Sequence, residues 1–448
     1  MSVNLTISIS TTTLTTQVTP GITAQEYHQR RQKLAASLPP NSIAIITAST
    51  IKYRSGAVFY EFHQDPNFFY LTGFNEPEAC AVIQTGTSAS ADYDFHLFVR
   101  PKDALAEQWD GARSGQQAAF DVFNADHSGD IANIAALLKP LVASANEVYT
   151  DLSGVKSSYS KFFGSKASDH DETLTALLKN SKVRALKPLL NSLKIIKSSA
   201  EIANMRTAGQ ISGRAFTNAM RKSFTKEKDL WNYLSYEFKN GGCEAEAYVP
   251  VIAGGKNALA IHYVRNDEEL RNGECVLVDA GGEYGGYITD ITRTWPVNGK
   301  FSDAQKDLYD MILKVQRSSI AICRASSNLS LDSIHNITEK GLEDGLKSLG
   351  FDMSASGALQ ELFPHHVGHY IGLDVHDCPG FSRVGVLKEG MCVTMEPGIY
   401  VPNDEKWPEA FRGLGIRIED SICVGAEHPI VLTTEAVKEV VDIEALRD

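Results

Sequence analysis

The sequence has little that would tie it to a disulfide scaffold, a membrane or a nucleic acid. Its seven cysteines, Cys80, Cys243, Cys275, Cys323, Cys378, Cys392 and Cys423, are odd in number and include no CxxC pair. That points to a reducing compartment and buried free thiols rather than a disulfide framework or a Cys-rich zinc site. No apolar run approaches the roughly 18 residues needed to span a bilayer. Positive charge is scarce: 43 Lys and Arg stand against 55 Asp and Glu, for a formal net charge of −12. A nucleic-acid binder should show the opposite, a basic surface. No Lys or Arg precedes Arg30, and the opening MSVNLTISISTTTLTTQVTPG is rich in Ser and Thr. It has neither the charged start and apolar core of a secretory signal nor the arginines of a transit peptide. Residues 1–20 are expected to be a flexible tail. On this reading the protein is cytoplasmic, or its presequence is absent from this form.

What is present is the composition of a soluble globular protein, 43% hydrophobic and 22% charged. At 448 residues the chain exceeds one ordinary core, so two domains are expected. In the first, over 21–190, Thr23 can cap a helix through AQEYHQRRQKLAASL that Pro39 and Pro40 stop. SIAIITAS, EACAVIQT and DYDFHLFVR read as strands, and 131–145 and 170–180 as helices, giving an α/β domain. The basic segment KVRALKPLLNSLKIIKSSAEI is the junction, with a capping box of Ser198 or Ser199 and Glu201. The second domain, 195–448, begins with two helices and turns to strands and glycine-rich turns after Ala247. It returns to helix over 301–350 and is mostly strand and turn over 363–443. It reads as α+β, with helices outside a curved sheet.

The chemistry-bearing residues cluster in that second domain. VLVDAGGEYGGYITDITRTW fits a hairpin with a glycine-rich centre, which sets Asp279 and Asp290 on facing parts of adjacent strands. Asp beside glycine turns is common, yet two acids among apolar strand residues repel unless a cation is shared between them. FPHHVGHYIGLDVHD holds His365, His366, His369 and His376, four of the chain's 12 histidines, and spacing alone does not single one out. In MCVTMEPGIY, Pro397 favours an extended Glu396 at the end of an apolar strand. In GIRIEDSICV, alternation puts Arg417, Glu419 and Ser421 on one face, so Glu419 is either a ligand or half of an Arg–Glu pair. Histidine with several carboxylates and no thiolate suits Mn, Co or Zn in a catalytic setting. Four carboxylates carry −4, which two divalent cations neutralise. Such a pair activates a water at neutral pH and polarises a carbonyl.

These contexts, VDAGG, TDITRT, HHVGHYIGLDVHD, MEPGIY and GIRIED, resemble the pita-bread metallopeptidases, which include aminopeptidase P, prolidase and methionine aminopeptidase. The resemblance selects Asp279, Asp290, His369, Glu396 and Glu419 as the metal cluster, taking His369 over its neighbours and Glu419 over Asp420. It covers roughly residues 195–448. TPGITAQEYHQRRQKL and FHQDPNFFYLTGFNEPEA are similar to the amino-terminal domain of aminopeptidase P, in the mitochondrial branch that includes Xaa-Pro aminopeptidase 3 and the fungal intermediate cleaving peptidase. The resemblance implies further roles. His262 in AIHYVRN is a substrate-side histidine, and His376 in DVHD stabilises the tetrahedral intermediate. His365 and Tyr400 line the pocket, and Arg417 supports Glu419 and the pocket. Glu396 shuttles a proton, and Asp279 meets the free amine of the substrate. The resemblance also implies a pita-bread catalytic domain with a curved antiparallel sheet, two metal ions (Mn first, then Co or Zn), a homodimer and a mitochondrial location.

The substrate expected is a peptide or protein N-terminus, with proline second or with a bulky first residue left after presequence removal. A prolidase-type dipeptidase is disfavoured by the N-terminal match. A non-catalytic pita-bread binding module, or metal-free creatinase-like chemistry, is opposed by the full set of ligands.

Overall fold

A computed structural model describes residues 16–88, 92–152, 169–179 and 181–447. Most of the expected tail lies outside these residues, but Gln17–Thr19 is a strand paired antiparallel with Ile22–Thr23. The Thr19 and Tyr27 hydroxyls share a 2.7 Å hydrogen bond that ties this strand to the first helix. The chain divides into two compact units, Met1–Lys194 and Ile195–Asp448.

The first unit is built on one six-stranded mixed sheet. Its order is Val183–Arg184, Glu147–Tyr149, Ser42–Thr47, Cys80–Thr85, Tyr93–Val99, His127–Asp130. The three long central strands, which the sequence signals, pair antiparallel. The three outer strands join in parallel and are too short to show a period of their own. Thr23 caps the helix Ala24–Ser37 as expected, its hydroxyl accepting the Glu26 N–H at 3.2 Å. Ile43, Ile45, Val82 and Phe98 pack with Leu138 and Leu174 from the covering helices. Apolar strands buried under helices in this way give the α/β arrangement.

The second unit opens on the capping box. Ser198 Oγ accepts the Glu201 N–H at 3.2 Å, and the Glu201 carboxylate accepts the Ser198 N–H at 2.8 Å. Helices Ser199–Met220, Glu227–Asn240, Asp303–Ile322 and Leu331–Ser348 surround four small antiparallel sheets. Val278, Ile291, Trp295, Val393 and Ile422 meet Phe216, Leu308 and Leu342 in the core. Segment 363–391 has no regular strand. It runs beside Cys392–Met395 through single bonds, such as His369 O accepting from Thr394 N at 2.9 Å.

Two hairpins position the site. Cys275–Ala280 pairs with Ile291–Pro296, but the expected single hairpin is split. Its tip, Gly282–Tyr284 with Tyr287–Ile288, belongs to another sheet. Gly285 and Gly286, at φ +60° and +80°, make the tight turn. At the split, the chain crosses itself so closely that a Cβ on Gly281 would lie 1.9 Å from the Thr289 carbonyl oxygen. The second hairpin joins 392–400 to 415–423 in one unbroken register, Met395↔Asp420 and Gly398↔Arg417. Pro397 interrupts its hydrogen bonding because it has no N–H to donate. Glu396 and Glu419 therefore face each other across the ladder.

Candidate active site

The two hairpins and segment 363–391 bring together all five acids and histidines expected to hold metal. Among the described residues, Asp290, His369 and Glu419 each offer a ligand atom within 4.8 Å of the others. His369 Nε2 lies 3.4 Å from Asp290 Oδ2 and 3.6 Å from Glu396 Oε1. Its other nitrogen, Nδ1, lies 3.1 Å from the Tyr370 carbonyl. A carbonyl only accepts, so Nδ1 carries a proton there and Nε2 is the nitrogen turned to the carboxylates. Asp279 completes the set through Arg417, whose Nη2 donates to Asp279 Oδ2 at 2.6 Å.

Arg417 is 2% exposed and reaches three partners. Nε donates to Thr292 Oγ1 at 2.9 Å, Nη1 to the Tyr400 hydroxyl at 2.7 Å, and Nη2 to Asp279. Thr292 in turn donates to Glu419 Oε2 at 2.6 Å. Arg417 thus supports Glu419 through Thr292, and its direct carboxylate partner is Asp279. The surface Arg–Glu pair weighed from the sequence does not form.

Asp420, the residue beside Glu419, is turned to the opposite face. It accepts from Arg293 at 2.7 Å, Gln316 at 2.7 Å, Thr433 at 2.7 Å and Lys438 at 2.6 Å. Those bonds occupy its lone pairs and hold its carboxyl well below the usual range against the cost of burial. Glu419 is the reverse case: its Oε1 is buried and has no hydrogen-bond partner. An orphaned buried carboxylate oxygen opposite Glu396 fits the donor set of a divalent cation.

Electrostatics point the same way. Burial, reinforced by Asp290, lifts Asp279 to about 6. Burial lifts Glu396 to about 7, and raises Glu419 well above its ordinary value with Asp290 and Glu396 adding to the effect. Burial also works against the charge of Asp290, but its bond to His369 outweighs this and holds it below its usual value. Burial pulls His369 down, yet Asp290 and Glu396 lift it to about 9. Glu419, and in part Glu396, hold a proton at neutral pH unless a cation takes its place.

Tyr248 was not singled out from the sequence. Its hydroxyl lies 2.6 Å from Asp279 Oδ1 and 2.5 Å from Asp290 Oδ1. One phenol proton cannot serve both oxygens, so the second contact also needs a carboxyl proton or a cation. Nothing in YVPVIAGG marks this tyrosine. Thr292 was also missed, although alternation from Asp290 would have placed it on the ligand face.

The expected pocket residues divide into two groups. His365 is half-buried: its Nδ1 donates to the His366 carbonyl at 2.9 Å, so Nε2 accepts from the Tyr400 hydroxyl at 2.9 Å. Burial and the Arg417 charge press it down to about 3, which keeps it neutral. His376 and His262 are exposed. The His376 ring stands edge-on to His369, centroids 4.5 Å apart. Burial, His369 and His262 lower its pKa. His262 sits on the loop that Glu227 ties down. Glu227 accepts from Gly254 N at 2.9 Å, Asn257 Nδ2 at 2.9 Å, the Tyr263 hydroxyl at 2.8 Å and Glu268 N at 2.9 Å.

Buried acids aligned on an imidazole, at the centre of helix-wrapped antiparallel sheets, define a metal-dependent hydrolase. The chain belongs to metallopeptidase family M24, which matches residues 203–426, and is an aminopeptidase of the aminopeptidase P type, whose N-terminal domain matches residues 27–149. It is 44% identical to intermediate cleaving peptidase 55 of Saccharomyces cerevisiae, over 96% of this chain and 85% of that protein. It is 37% identical to human Xaa-Pro aminopeptidase 3, over 96% and 87%. It is 35% identical to "Intermediate cleaving peptidase 55, mitochondrial" of Arabidopsis thaliana, over 96% and 84%. The crystal structure of Icp55 from Saccharomyces cerevisiae lacking 58 N-terminal residues superposes with a TM-score of 0.89 at 42% identity, over 96% of this chain and 99% of that one. The metallopeptidase family implies divalent metal ions, and the buried cluster of acids and histidine fits them.

Proposed function

We propose that Asp279, Asp290, His369, Glu396 and Glu419 hold two divalent cations, with Mn as the first choice and Co or Zn as alternatives. The partnerless Glu419 Oε1, facing Glu396 among buried acids, is the observation that carries this reading. When bound, the metal pair neutralises the acids, lowers the pKa of a water and polarises the scissile carbonyl. The protein's own groups do the rest. Glu396 takes a proton from the attacking water and returns it to the leaving amine. His376, which is exposed, is the hydrogen-bond donor for the oxygen that gains charge at the carbonyl, and His262, also exposed, is a substrate-side histidine. Arg417 fixes Asp279, Tyr400 and, through Thr292, Glu419. Tyr400 in turn donates to His365, which burial and the Arg417 charge keep neutral at the pocket wall. Asp279 meets the free amine of the substrate, which restricts cleavage to the first residue.

In this reading 21–190 is the aminopeptidase P-like domain and 195–448 the catalytic one. The substrate is a protein N-terminus carrying one extra bulky residue after presequence removal. The 44% identity to an intermediate cleaving peptidase over nearly the whole chain supports this. The similarity to Xaa-Pro aminopeptidase 3 favours a second reading, peptides with proline second. The mitochondrial relative supports a mitochondrial location, which fractionation checks. The homodimer is checked by light scattering.

The deciding experiment strips metal and restores Mn, Co or Zn. It then compares tripeptides with proline second against proline-free ones starting with Tyr, Leu or Phe. Metal-dependent release of Tyr, Leu or Phe is expected, and release confined to the proline series selects the second reading. Failure of all three metals to restore release from either series defeats the metal assignment. Asp290→Ala should abolish release while leaving the circular dichroism spectrum in place. Full retained activity would remove Asp290 from the cluster.

A further inference from the structure

All seven cysteines are buried, and the mechanism uses none of them. Two stand in a special relation. Cys392 and Cys423 are direct partners across the ladder that carries Glu396 and Glu419. The bond pattern fixes which kind of partners they are. Val424 N donates to Met391 O at 2.8 Å, which makes Met391 and Val424 a hydrogen-bonded pair. Pairs alternate along an antiparallel ladder, so Cys392 and Cys423 form a non-hydrogen-bonded pair, the kind whose side chains approach most closely. The Cα separation of such pairs, about 4.5 Å, lies within the span a disulfide accepts. Alternation puts both thiols on the face that carries Thr394, Ser421, Glu396 and Glu419, while Val393, Met395, Ile422 and Val424 enter the core.

We propose that Cys392 and Cys423 form a redox-responsive thiol pair that closes into a cross-strand disulfide and thereby throttles the proposed metal site four rungs along the same ladder. A peroxide is the oxidant. Cys423, 2% exposed against 0% for Cys392, is attacked first. Its sulfur takes the terminal oxygen of hydrogen peroxide to become a sulfenic acid, and one water leaves. Cys392 sulfur then displaces the hydroxyl: the S–S bond forms, the S–O bond breaks and a second water departs. Two thiols lose two electrons and two protons, and the peroxide is reduced to two waters. The Cys392 S–H bond, with the charges of Lys197 and Arg206 behind it, holds the Cys423 thiol below its ordinary pKa despite burial, which assists the first step.

Closure has a mechanical consequence. Opposed Cβ atoms lie about 4.5–5.5 Å apart, whereas a disulfide draws them to about 3.8 Å. The pull of roughly 1 Å acts on the two strands that end in Glu396 and Glu419. A displacement of that size costs on the order of 10²-fold when it reaches reacting groups, so a loss of about tenfold in kcat is expected here.

The test uses the reduced, metal-loaded full chain, treated with hydrogen peroxide and digested without reductant. Mass spectrometry should find the Cys392 and Cys423 peptides joined and lighter by two hydrogens, with Cys275 and Cys323 still free. Dithiothreitol should part them and restore activity. Cys423→Ala should keep its activity through the same treatment, and Cys392→Ala serves if the first variant does not fold. The proposal is overturned if Cys423 is found oxidised but unlinked, if all seven thiols survive the treatment, or if wild type and variant lose activity equally.

Discussion

Replacing Glu419 by Gln should make the metal-free protein more stable while destroying its response to metal. In the absence of a cation, Glu419 is 2% exposed, faces Glu396 and leaves Oε1 without a partner. An unsatisfied buried polar atom costs about 1–3 kcal/mol. The Gln side chain keeps an oxygen for the Thr292 hydroxyl, now 2.6 Å from Oε2, and offers an amide N–H to the neighbouring carboxylates. The neutral amide also escapes the penalty that burial, Asp290 and Glu396 place on a Glu419 charge. A gain of about 1–3 kcal/mol in the chelated protein follows. For a unit of this size each kcal/mol moves the melting temperature by about 2–4 °C. Wild type should gain about 2.7 kcal/mol from metal at a hundred times its Kd, and the variant should gain far less. Differential scanning fluorimetry of both proteins, in chelator and in Mn, reads all four states. Asp420→Asn provides the contrast, because it breaks a fully bonded carboxylate and should cost about 3–5 kcal/mol with or without metal. A chelated Glu419→Gln protein that melts below chelated wild type would refute the view that this carboxylate waits for a cation.

Tyr248→Phe removes the hydroxyl shared by Asp279 and Asp290, and calorimetry should show Mn affinity reduced by about 10–100-fold with the fold intact. Glu227→Ala leaves donors at Gly254, Asn257, Tyr263 and Glu268 without an acceptor. Hydrogen exchange over 254–268 should accelerate, and kcat/KM should fall by about tenfold as the turn bearing His262 loosens. In the first unit, burial and His127 lower His96 from 6.5 to about 4. Its unfolded form therefore binds the extra proton first, so stability is complete above pH 6.5 and is lost as pH falls from 6.5 towards 4. The loss should be about 1–3 kcal/mol, allowing for the solvent that reaches the ring, and His96→Gln should flatten it in urea titrations at pH 7 and pH 4.5.

The sequence was most legible where a residue contradicts its local setting. Asp279 and Asp290 stand out because acids are out of place in apolar strands, and Glu396 because Pro397 fixes its backbone. The long central strands and the capping box of Ser198 and Glu201 are local, and they are found where local rules put them. The choice of Glu419 over Asp420 came from family resemblance alone. What separates the two residues in the structure is long-range: Arg293, Gln316, Thr433 and Lys438 converge on Asp420 from distant parts of the chain. Tyr248 is hidden for the same reason. It comes within reach of Asp279 because Val251–Gly254 pairs with Cys275–Ala280 at Val251↔Asp279, a pairing that no periodicity announces. The three short outer strands of the first sheet carry too few residues to declare themselves.

The bonds on Asp420 also bear on how the protein is handled. Two of its four donors, Thr433 and Lys438, belong to the last stretch of this sequence, and Arg293 is bound there as well, by the Ala436 carbonyl at 2.9 Å. The backbone link between Asp420 and Glu419 turns that stretch into a remote brace for Glu419. Proteolytic clipping or redesign between Thr433 and Lys438 would register first as altered metal occupancy, in a segment that contributes no ligand. A preparation with poor metal content is therefore worth checking for an intact C-terminal peptide before its buffer is blamed.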